Sequence, residues 1–287
     1  MLAIYKRELK AYFSSLLGYA VITLFLLVLG FYFWGINLSG QNGAIGNTLN
    51  SISFVYTIIL PILTMRLFAE EQKLKTDQLL FSSPVSIWSV ILGKYFAVVT
   101  IFTIPNLVIC SMPLVLSKYG DVVMLKSYSS IFAFWLLGCT MLALGVFASS
   151  LTDNQFVAVL FSFAMNIVIL LMQSIASIVP STTMASLIGV SIIALLVCAV
   201  IFLFVRNIIV SGAVFVVAEA AIVVLYLVKE SWFESLLEKI LNGVSFYARF
   251  TDFANGNFNV GSVIYYLSFI VLFLYFTMQA IQKRRWS

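Results

Sequence analysis

The residues best suited to polar chemistry lie in one charged run, "EEQKLKTDQLLFSSPVS", at residues 70–86. Only 9% of the chain is charged and 62% is apolar, so such a run must face water or a partner. A loop on the inner side of a membrane needs charged residues, which explains Lys73 and Lys75. This need does not explain the adjacent Glu70 and Glu71 or the exposed leucines. We therefore predict a docking surface, with apolar anchors and a charged rim, formed by Glu70, Glu71, Leu74, Asp77, Leu79, Leu80 and Phe81.

A further acidic residue, Glu219, lies outside this run, in the middle of the apolar stretch "IIVSGAVFVVAEAAIVVLYLV". An ionised carboxylate in a membrane costs several kcal/mol, so such a residue is a candidate functional site. The sequence shows no intramembrane Lys, Arg or His partner for it. The alternative is a Glu219 side chain that is neutral, or hydrogen-bonded to a Ser, Thr or Asn on a neighbouring helix.

Most enzyme chemistry is excluded by the residues that are missing. The chain has no His, and its three cysteines lie singly within apolar runs, so neither a metal cluster nor a disulfide framework is predicted. The glycine-rich stretch "GQNGAIGNT" (40–48) lacks the Lys of a phosphate-binding loop. We therefore expect no catalytic residues, and no cofactor or metal bound by this chain. The sequence has no basic stripe interleaved with exposed aromatic residues, so it does not suggest nucleic-acid binding.

Composition places the chain in a membrane. Its mean hydropathy is +1.10 and it contains 26 Phe, more apolar surface than one soluble core could bury. Segments of about 20 apolar residues can cross a bilayer. We predict an all-α polytopic membrane protein with about eight transmembrane helices, near residues 17–36, 51–69, 87–116, 128–150, 155–179, 183–205, 207–228 and 261–281.

The positions of Lys and Arg predict the orientation, because positively charged loops stay cytoplasmic. With the N-terminus inside, the outer side holds only Lys118, Lys126, Lys229, Lys239 and Arg249. The inner side holds Lys6, Arg7, Lys10, Arg66, Lys73, Lys75, Lys94, Arg206, Lys283, Arg284 and Arg285. We therefore expect a multi-pass protein of the cell membrane with both termini in the cytoplasm.

Two further segments are amphipathic. Near the N-terminus, apolar residues recur at helical spacing while Lys6, Arg7, Glu8 and Lys10 occupy the other face, so this helix is predicted to lie flat beneath the bilayer. Its apolar residues are Leu2, Tyr5, Leu9, Tyr12, Phe13 and Leu16. On the outer side, "SWFESLLEKILNG" (231–243) has the same pattern. Ser231 and Glu234 have the spacing of a capping box at its start, and Asn242-Gly243 predicts its end.

Four blocks, in order and spread over nearly the whole chain, carry a resemblance to a known family. They are "IYKRELKAYFSSLLGY", "LLFSSPVSIWSVILGKYFA", "ALGVFASSLTDNQFVA" and the C-terminal stretch that begins "SFYARFTDFANGNFNVGSVIYY". The chain resembles the membrane subunits of type 2 ATP-binding-cassette (ABC) transporters, in particular the gliding-motility and copper-maturation-like permeases.

The resemblance implies a single transmembrane domain over residues 1–287. Residues 1–16 match the family's elbow helix, and residues 70–86 match the segment that couples the permease to its ATPase. Asp153 lies in "SLTDNQ" (150–155), which matches a second cytoplasmic turn, although Asp153 could instead cap the next helix. Residues 229–260 match the extracytoplasmic segment, and residues 183–228 form a hairpin that is added to the family's six-span core.

The same resemblance implies the partners. The expected assembly contains a second copy of this chain or a related permease, embedded in the lipid bilayer, and two copies of a cytoplasmic ABC ATPase that bind ATP and Mg²⁺. Export is the expected direction of transport. The alternative from another class is an ion-coupled secondary transporter or channel that uses Glu219.

Overall fold

A computed structural model of the chain describes residues 1–76, 85–180, 182–205, 208–228 and 233–286. The described residues are almost entirely helical and include no β-strand, so the predicted all-α class is confirmed. The chain divides into two compact units. The first contains Met1–Val168 and Phe246–Ser287, and the second contains Ile169–Ser245.

The first unit is built from long helices joined by short connections. A π-helical stretch, Phe33–Ser39, continues the helix Leu16–Tyr32, and a 3₁₀ turn, Ser53–Val55, joins the helices Ile45–Ile52 and Tyr56–Thr64. The helices that begin in this unit are α1 (Leu2–Phe13), α2 (Leu16–Tyr32), α3 (Ile45–Ile52), α4 (Tyr56–Thr64), α5 (Arg66–Lys73), α6 (Ile87–Ile109), α7 (Met112–Leu116), α8 (Met124–Ser150) and α9 (Gln155–Ile178), followed after the second unit by α13 (Phe246–Ala254) and α14 (Val260–Trp286).

Among its described residues, the second unit contains the end of α9, a helical hairpin and one short helix. The hairpin consists of α10 (Thr183–Val205) packed on α11 (Ile208–Val228). The short helix α12 (Leu236–Val244) packs on α10. Ser231, the first residue of the predicted capping box, lies outside the described residues. The helix α12 begins after Ser235, which has a left-handed backbone (φ 56°), and it ends at Val244, one residue beyond the predicted stop at Asn242-Gly243.

Among the described residues, six helical segments are long and apolar enough to cross a membrane. They are Leu16–Ser39, Ile45–Lys73, Ile87–Leu116, Met124–Ser150, Gln155–Ile178 and Val260–Arg284. Each coincides with one of the predicted spans. The helices α10 and α11 have 23 and 21 residues and lie where the other two spans were predicted. The total of eight crossings stays a prediction.

The helix α8 forms the centre of the first unit. It contacts α3, α4, α5, α6, α13 and α14, and 83% of its apolar window is buried, against 17% for the span that contains α2. Small residues allow the close approach: a Cβ at Gly145 would lie 2.3 Å from Oγ1 of Thr64 on α4. Helices in membranes associate through such small-residue contacts because lipid is as apolar as their side chains.

The N-terminal helix α1 packs on α6. Tyr12 was predicted to face lipid but is fully buried, and its hydroxyl donates a hydrogen bond to the Leu63 carbonyl at 2.6 Å. Leu2 and Leu16 are exposed, as the amphipathic pattern predicts. The predicted apolar face is therefore divided between contacts within the protein and open surface.

The two ends of α8 provide a test of the predicted orientation. Its 27 residues span about 40 Å at 1.5 Å per residue. Thr76 is exposed and follows α5, which contacts one end of α8, whereas Asp121 and Asn257 are exposed at the other end. In a variant without native cysteines, we expect an impermeant thiol reagent added outside cells to label Asp121→Cys and Asn257→Cys but not Thr76→Cys.

Lysed cells provide the control, since all three cysteines should react there. Labelling of Thr76→Cys in intact cells, with protection of the other two, would reverse the predicted orientation.

Candidate functional site

A buried lysine forms the centre of the candidate site. Lys94 lies on α6, and its side chain is only 1% exposed. Its Nζ lies 3.1 Å from Oε1 of Glu8 on α1 and 3.0 Å from Oε2 of Glu71 on α5. It also donates a hydrogen bond to the Leu67 carbonyl at 2.5 Å. One ammonium group therefore joins three helices.

Arg7 closes the cluster from the solvent side. One of its guanidinium nitrogens, Nη2, lies 2.7 Å from Oε1 of Glu8 and 2.5 Å from Oε1 of Glu71. Its side chain is half-exposed, whereas those of the two glutamates are largely buried. Two cations and two carboxylates balance in charge. We call Arg7, Glu8, Glu71 and Lys94 the ion cluster.

The electrostatics of the cluster favour its charged form. Burial by itself raises the pKa of Glu8, but the charges and hydrogen bonds of Lys94 and Arg7 outweigh this effect, so the Glu8 pKa lies below its ordinary value. Burial lowers the pKa of Arg7, but Glu8 and Glu71 shift it further in the opposite direction, so the Arg7 pKa is raised. Both groups are therefore charged at neutral pH.

The helix α5, which carries Glu71, is held in place by α8. Ser149 Oγ accepts hydrogen bonds from the backbone N–H groups of Phe68 and Ala69, at 3.1 and 3.2 Å. These donors belong to the first turn of α5, where N–H groups need partners from outside the helix. Gln72 adds a hydrogen bond from Nε2 to the Ser150 carbonyl at 3.1 Å. The position of Glu71 is thus fixed by hydrogen bonds between α5 and α8 as well as by its ion pairs.

A second cation links α1 to the start of α5. The Arg66 guanidinium carbon lies 4.3 Å from the centre of the Tyr12 ring, within the range of a cation–π interaction. Arg66 Nη1 also donates to Ser15 Oγ at 3.3 Å. Together with the ion cluster, this contact attaches α1 at two points along its length.

The predicted docking surface is only partly within the described residues. Glu71 lies in the ion cluster, Glu70 is half-buried one residue before it, and Leu74 is 64% exposed after α5 ends. The remaining predicted members, Asp77, Leu79, Leu80 and Phe81, lie outside the described residues. The structure therefore describes residues 70–76, which we call the base of this run, and its last two residues, but not residues 77–84.

The other two predicted sites lie apart from the ion cluster in the sequence. Asp153 is exposed, and the cap of α9 is made by the next residue, Asn154, whose Oδ1 accepts from the Phe156 N–H at 2.9 Å. In the second unit, Glu219 Oε2 accepts a hydrogen bond from Ser191 Oγ at 3.0 Å. This is the hydrogen bond to a neighbouring helix that the sequence left as an alternative. Its Oε1 is buried without a partner among the described residues.

Sequence reasoning missed the ion cluster as a unit. Lys94 was counted only as an inner positive charge, and Arg7 and Glu8 were assigned to a wet helix face. A signal was present, because Lys94 is the one charged residue in the predicted span 87–116. A lone charge in such a span requires a buried partner. What the sequence could not show is that this partner lies 86 residues away on α1.

No protein-family model, no curated protein and no solved structure matches this chain.

Removal of Glu8 should destabilise the protein more than its position near the terminus suggests. Glu8→Gln leaves the buried Lys94 with one carboxylate partner, and we expect the free energy of unfolding to fall by about 3 kcal/mol. Equilibrium unfolding in mixed detergent–SDS micelles measures the change. The exposed Lys10→Gln on the same helix is the matched control, with an expected change within about 0.5 kcal/mol. The double variant Glu8→Gln/Lys94→Met should recover part of the lost free energy of unfolding, because it removes the buried charge as well.

Equal losses of stability in Glu8→Gln and Lys10→Gln would contradict the role of Glu8 as a partner of Lys94.

The same pair predicts a pH dependence. Since the folded-state pKa of Glu8 is below its ordinary value of 4.5, its stabilising contribution is fully present above that pH. It is lost as the pH falls through the lower folded-state pKa. The difference in unfolding free energy between the parent protein and Glu8→Gln should therefore be constant from pH 7 to about pH 5 and shrink below about pH 4.5. A difference that does not change down to pH 3 would show that Glu8 acts through packing instead of charge.

Proposed function

We propose that this chain is the membrane-spanning permease subunit of an ATP-driven ABC transporter, coupled to a separate cytoplasmic ATPase. The observation that carries the proposal is the ion cluster, which anchors the base of the run 70–86 to two other helices. A docking segment needs such a base, because movement of the partner must reach the membrane helices without being absorbed by a loose connection.

The charge distribution fits this role. Lys94 is fully desolvated, whereas Arg7 is half-exposed at the border of the cluster, so a partner that reaches α5 encounters a cation and the exposed Leu74. Apolar anchors with a charged rim are the usual composition of a small protein–protein contact. In the proposal, Glu70, Leu74, Asp77, Leu79, Leu80 and Phe81 contact the ATPase, while Glu71 transmits force into the membrane. Asp153 contributes from the second cytoplasmic turn.

The remaining architecture follows from the family resemblance. We assign α1 as the elbow helix, eight crossings with both termini cytoplasmic, and a location in the cell membrane. The translocation pathway lies between this chain and a second copy or a related permease, and export is the direction. ATP and Mg²⁺ bind to the two ATPase subunits, and this chain performs no catalysis and binds no cofactor. The hairpin α10–α11 is an addition to the six-span core.

A second candidate function rests on one observation in the second unit. Glu219 makes one hydrogen bond, from Ser191, and leaves a buried carboxylate oxygen without a partner among the described residues. Such an oxygen could accept a bond from a transported cation or its water, as in an ion-coupled secondary transporter or a channel. We rank this function second because a relay across a membrane needs several such groups.

The coupling proposal predicts a specific loss of ATPase binding. The double substitution Leu79→Ala/Phe81→Ala should weaken copurification of the ATPase about tenfold or more, because apolar anchors contribute most of the energy of a small interface. The chain should still insert and unfold at the parent temperature. The matched control is Leu27→Ala/Phe31→Ala, two exposed apolar residues on α2, which should leave ATPase capture unchanged.

Undiminished ATPase capture and hydrolysis in the Leu79/Phe81 variant would reject 70–86 as the docking segment. Transport that persists without any ATPase in reconstituted vesicles, follows an imposed ion gradient, and is abolished by Glu219→Leu would establish the second candidate function instead.

A further inference from the structure

A cavity of about 670 Å³ opens at the end of α8 that is remote from the ion cluster. It lies between the first turns of α8 and the connection from α13 to α14. Apolar and aromatic side chains form most of its wall, among them Leu125, Tyr128, Phe132 and Phe258. Its volume is in the range of ordinary ligand sites, so it is large enough for part of a lipid but not for a protein segment.

The wall of the cavity is held in place by contacts of its own. Tyr128 donates its hydroxyl to the Cys110 carbonyl at 3.3 Å, and Phe258 packs edge to face on Phe253 with 5.6 Å between the ring centres. Ser130 Oγ lies 3.1 Å from the Phe253 carbonyl, which joins α8 to α13 beneath the cavity. The cavity is thus formed by a fixed arrangement of two helices and a turn.

One cation borders this apolar wall. Lys126 lines the cavity, is half-buried, and has no carboxylate oxygen within 4 Å of its Nζ among the described residues. Its aliphatic stem lies across Gly256, where a Cβ would come within 2.9 Å of Lys126 Cδ. Gly256 also has a positive φ of 96°, which other residues rarely adopt. The glycine therefore fulfils two requirements at once, a tight turn and space for the lysine stem.

We infer that this cavity binds one anionic phospholipid, with the headgroup phosphate at Lys126 and an acyl chain along Tyr128 and Phe132. Three features select this occupant. The site lies where apolar spans begin, so its lining can face both acyl chains and the headgroup layer. Leu125 and Phe258 are 85% and 59% exposed, which is costly in water but not against lipid. The lysine, which has no carboxylate partner among the described residues, complements a headgroup of net negative charge better than a zwitterionic one, whose phosphate is accompanied by its own cation.

The assignment goes beyond a general affinity for lipid, because it names one residue that distinguishes headgroups. Lys118 lies near the same boundary and is exposed, but it does not line the cavity. The two lysines therefore have the same charge but different surroundings. Only Lys126 combines its charge with an apolar wall.

The test counts phospholipids that remain bound to the purified full-length chain. The protein is extracted into detergent that contains equal amounts of phosphatidylglycerol and phosphatidylcholine, and bound lipids are counted by native mass spectrometry. We expect the parent protein to retain one phosphatidylglycerol in preference to phosphatidylcholine. Lys126→Gln should reduce this preference roughly fivefold, the effect of one basic residue at an anionic surface.

Three comparisons complete the experiment. Lys126→Arg and Lys118→Gln should keep the preference, and Phe132→Ala should lower the binding of both lipids. Thermal unfolding of each variant shows whether it is folded. If Lys126→Gln does not fold, Lys126→Met, which keeps the aliphatic stem over Gly256 and removes the charge, takes its place. An unchanged preference in a folded Lys126→Gln, or equal retention of the two lipids by the parent, would overturn the assignment.

A soluble competitor distinguishes a lipid from a free anion. Glycerol 3-phosphate at millimolar concentration carries the charge of the headgroup but no acyl chain, so we expect it not to displace the retained lipid. Displacement would show a site for a small anion and would contradict the lipid. Neither result depends on an ATPase partner, so the test can fail without affecting the proposed function.

Discussion

The burial of one ammonium group constrains the whole first unit. Lys94 is 1% exposed within a helix long and apolar enough to cross a membrane, and an unpaired charge there would cost several kcal/mol. Its neutralisation requires carboxylates from outside α6. Glu8 and Glu71 supply them, and each must be brought to within about 3 Å by a different helix. The need to neutralise the Lys94 charge therefore constrains the positions of α1 and α5.

This constraint also explains why α1 differs from a simple interfacial helix. A helix that only floats on lipid would direct its charged residues to water and its aromatic residues to the bilayer. Here Glu8 and Tyr12, one turn apart, both face the protein, and Arg66 packs on the Tyr12 ring. The free energy lost by burying Glu8 is offset by Lys94 and Arg7. The result is a helix that is attached to the bundle at its middle and near its C-terminal end.

The spans were predictable from the sequence because hydropathy depends on local composition. The predicted span 128–150 corresponds to Met124–Ser150, whose first turn includes polar residues. The predicted span 17–36 corresponds to Leu16–Ser39, whose last residues are π-helical. The helix α13 was not predicted as a separate element, since its nine residues are fewer than the window over which helical periodicity is recognised. The ion cluster was equally hidden, because its partners are distant in sequence and meet only through packing. Glu71 alone was identified in advance, from its place in a charged run.

Two serines on α8 show how one helix can connect both ends of the unit. Ser149 accepts hydrogen bonds from the first turn of α5 at one end, and Ser130 contacts the Phe253 carbonyl of α13 near the other. Between these two serines, α8 contains no proline and is almost wholly buried. A displacement of α5 therefore cannot be absorbed by bending α8 at a proline or by loosening its packing without cost. Such a displacement is either resisted by this packing or moves α8 as a whole.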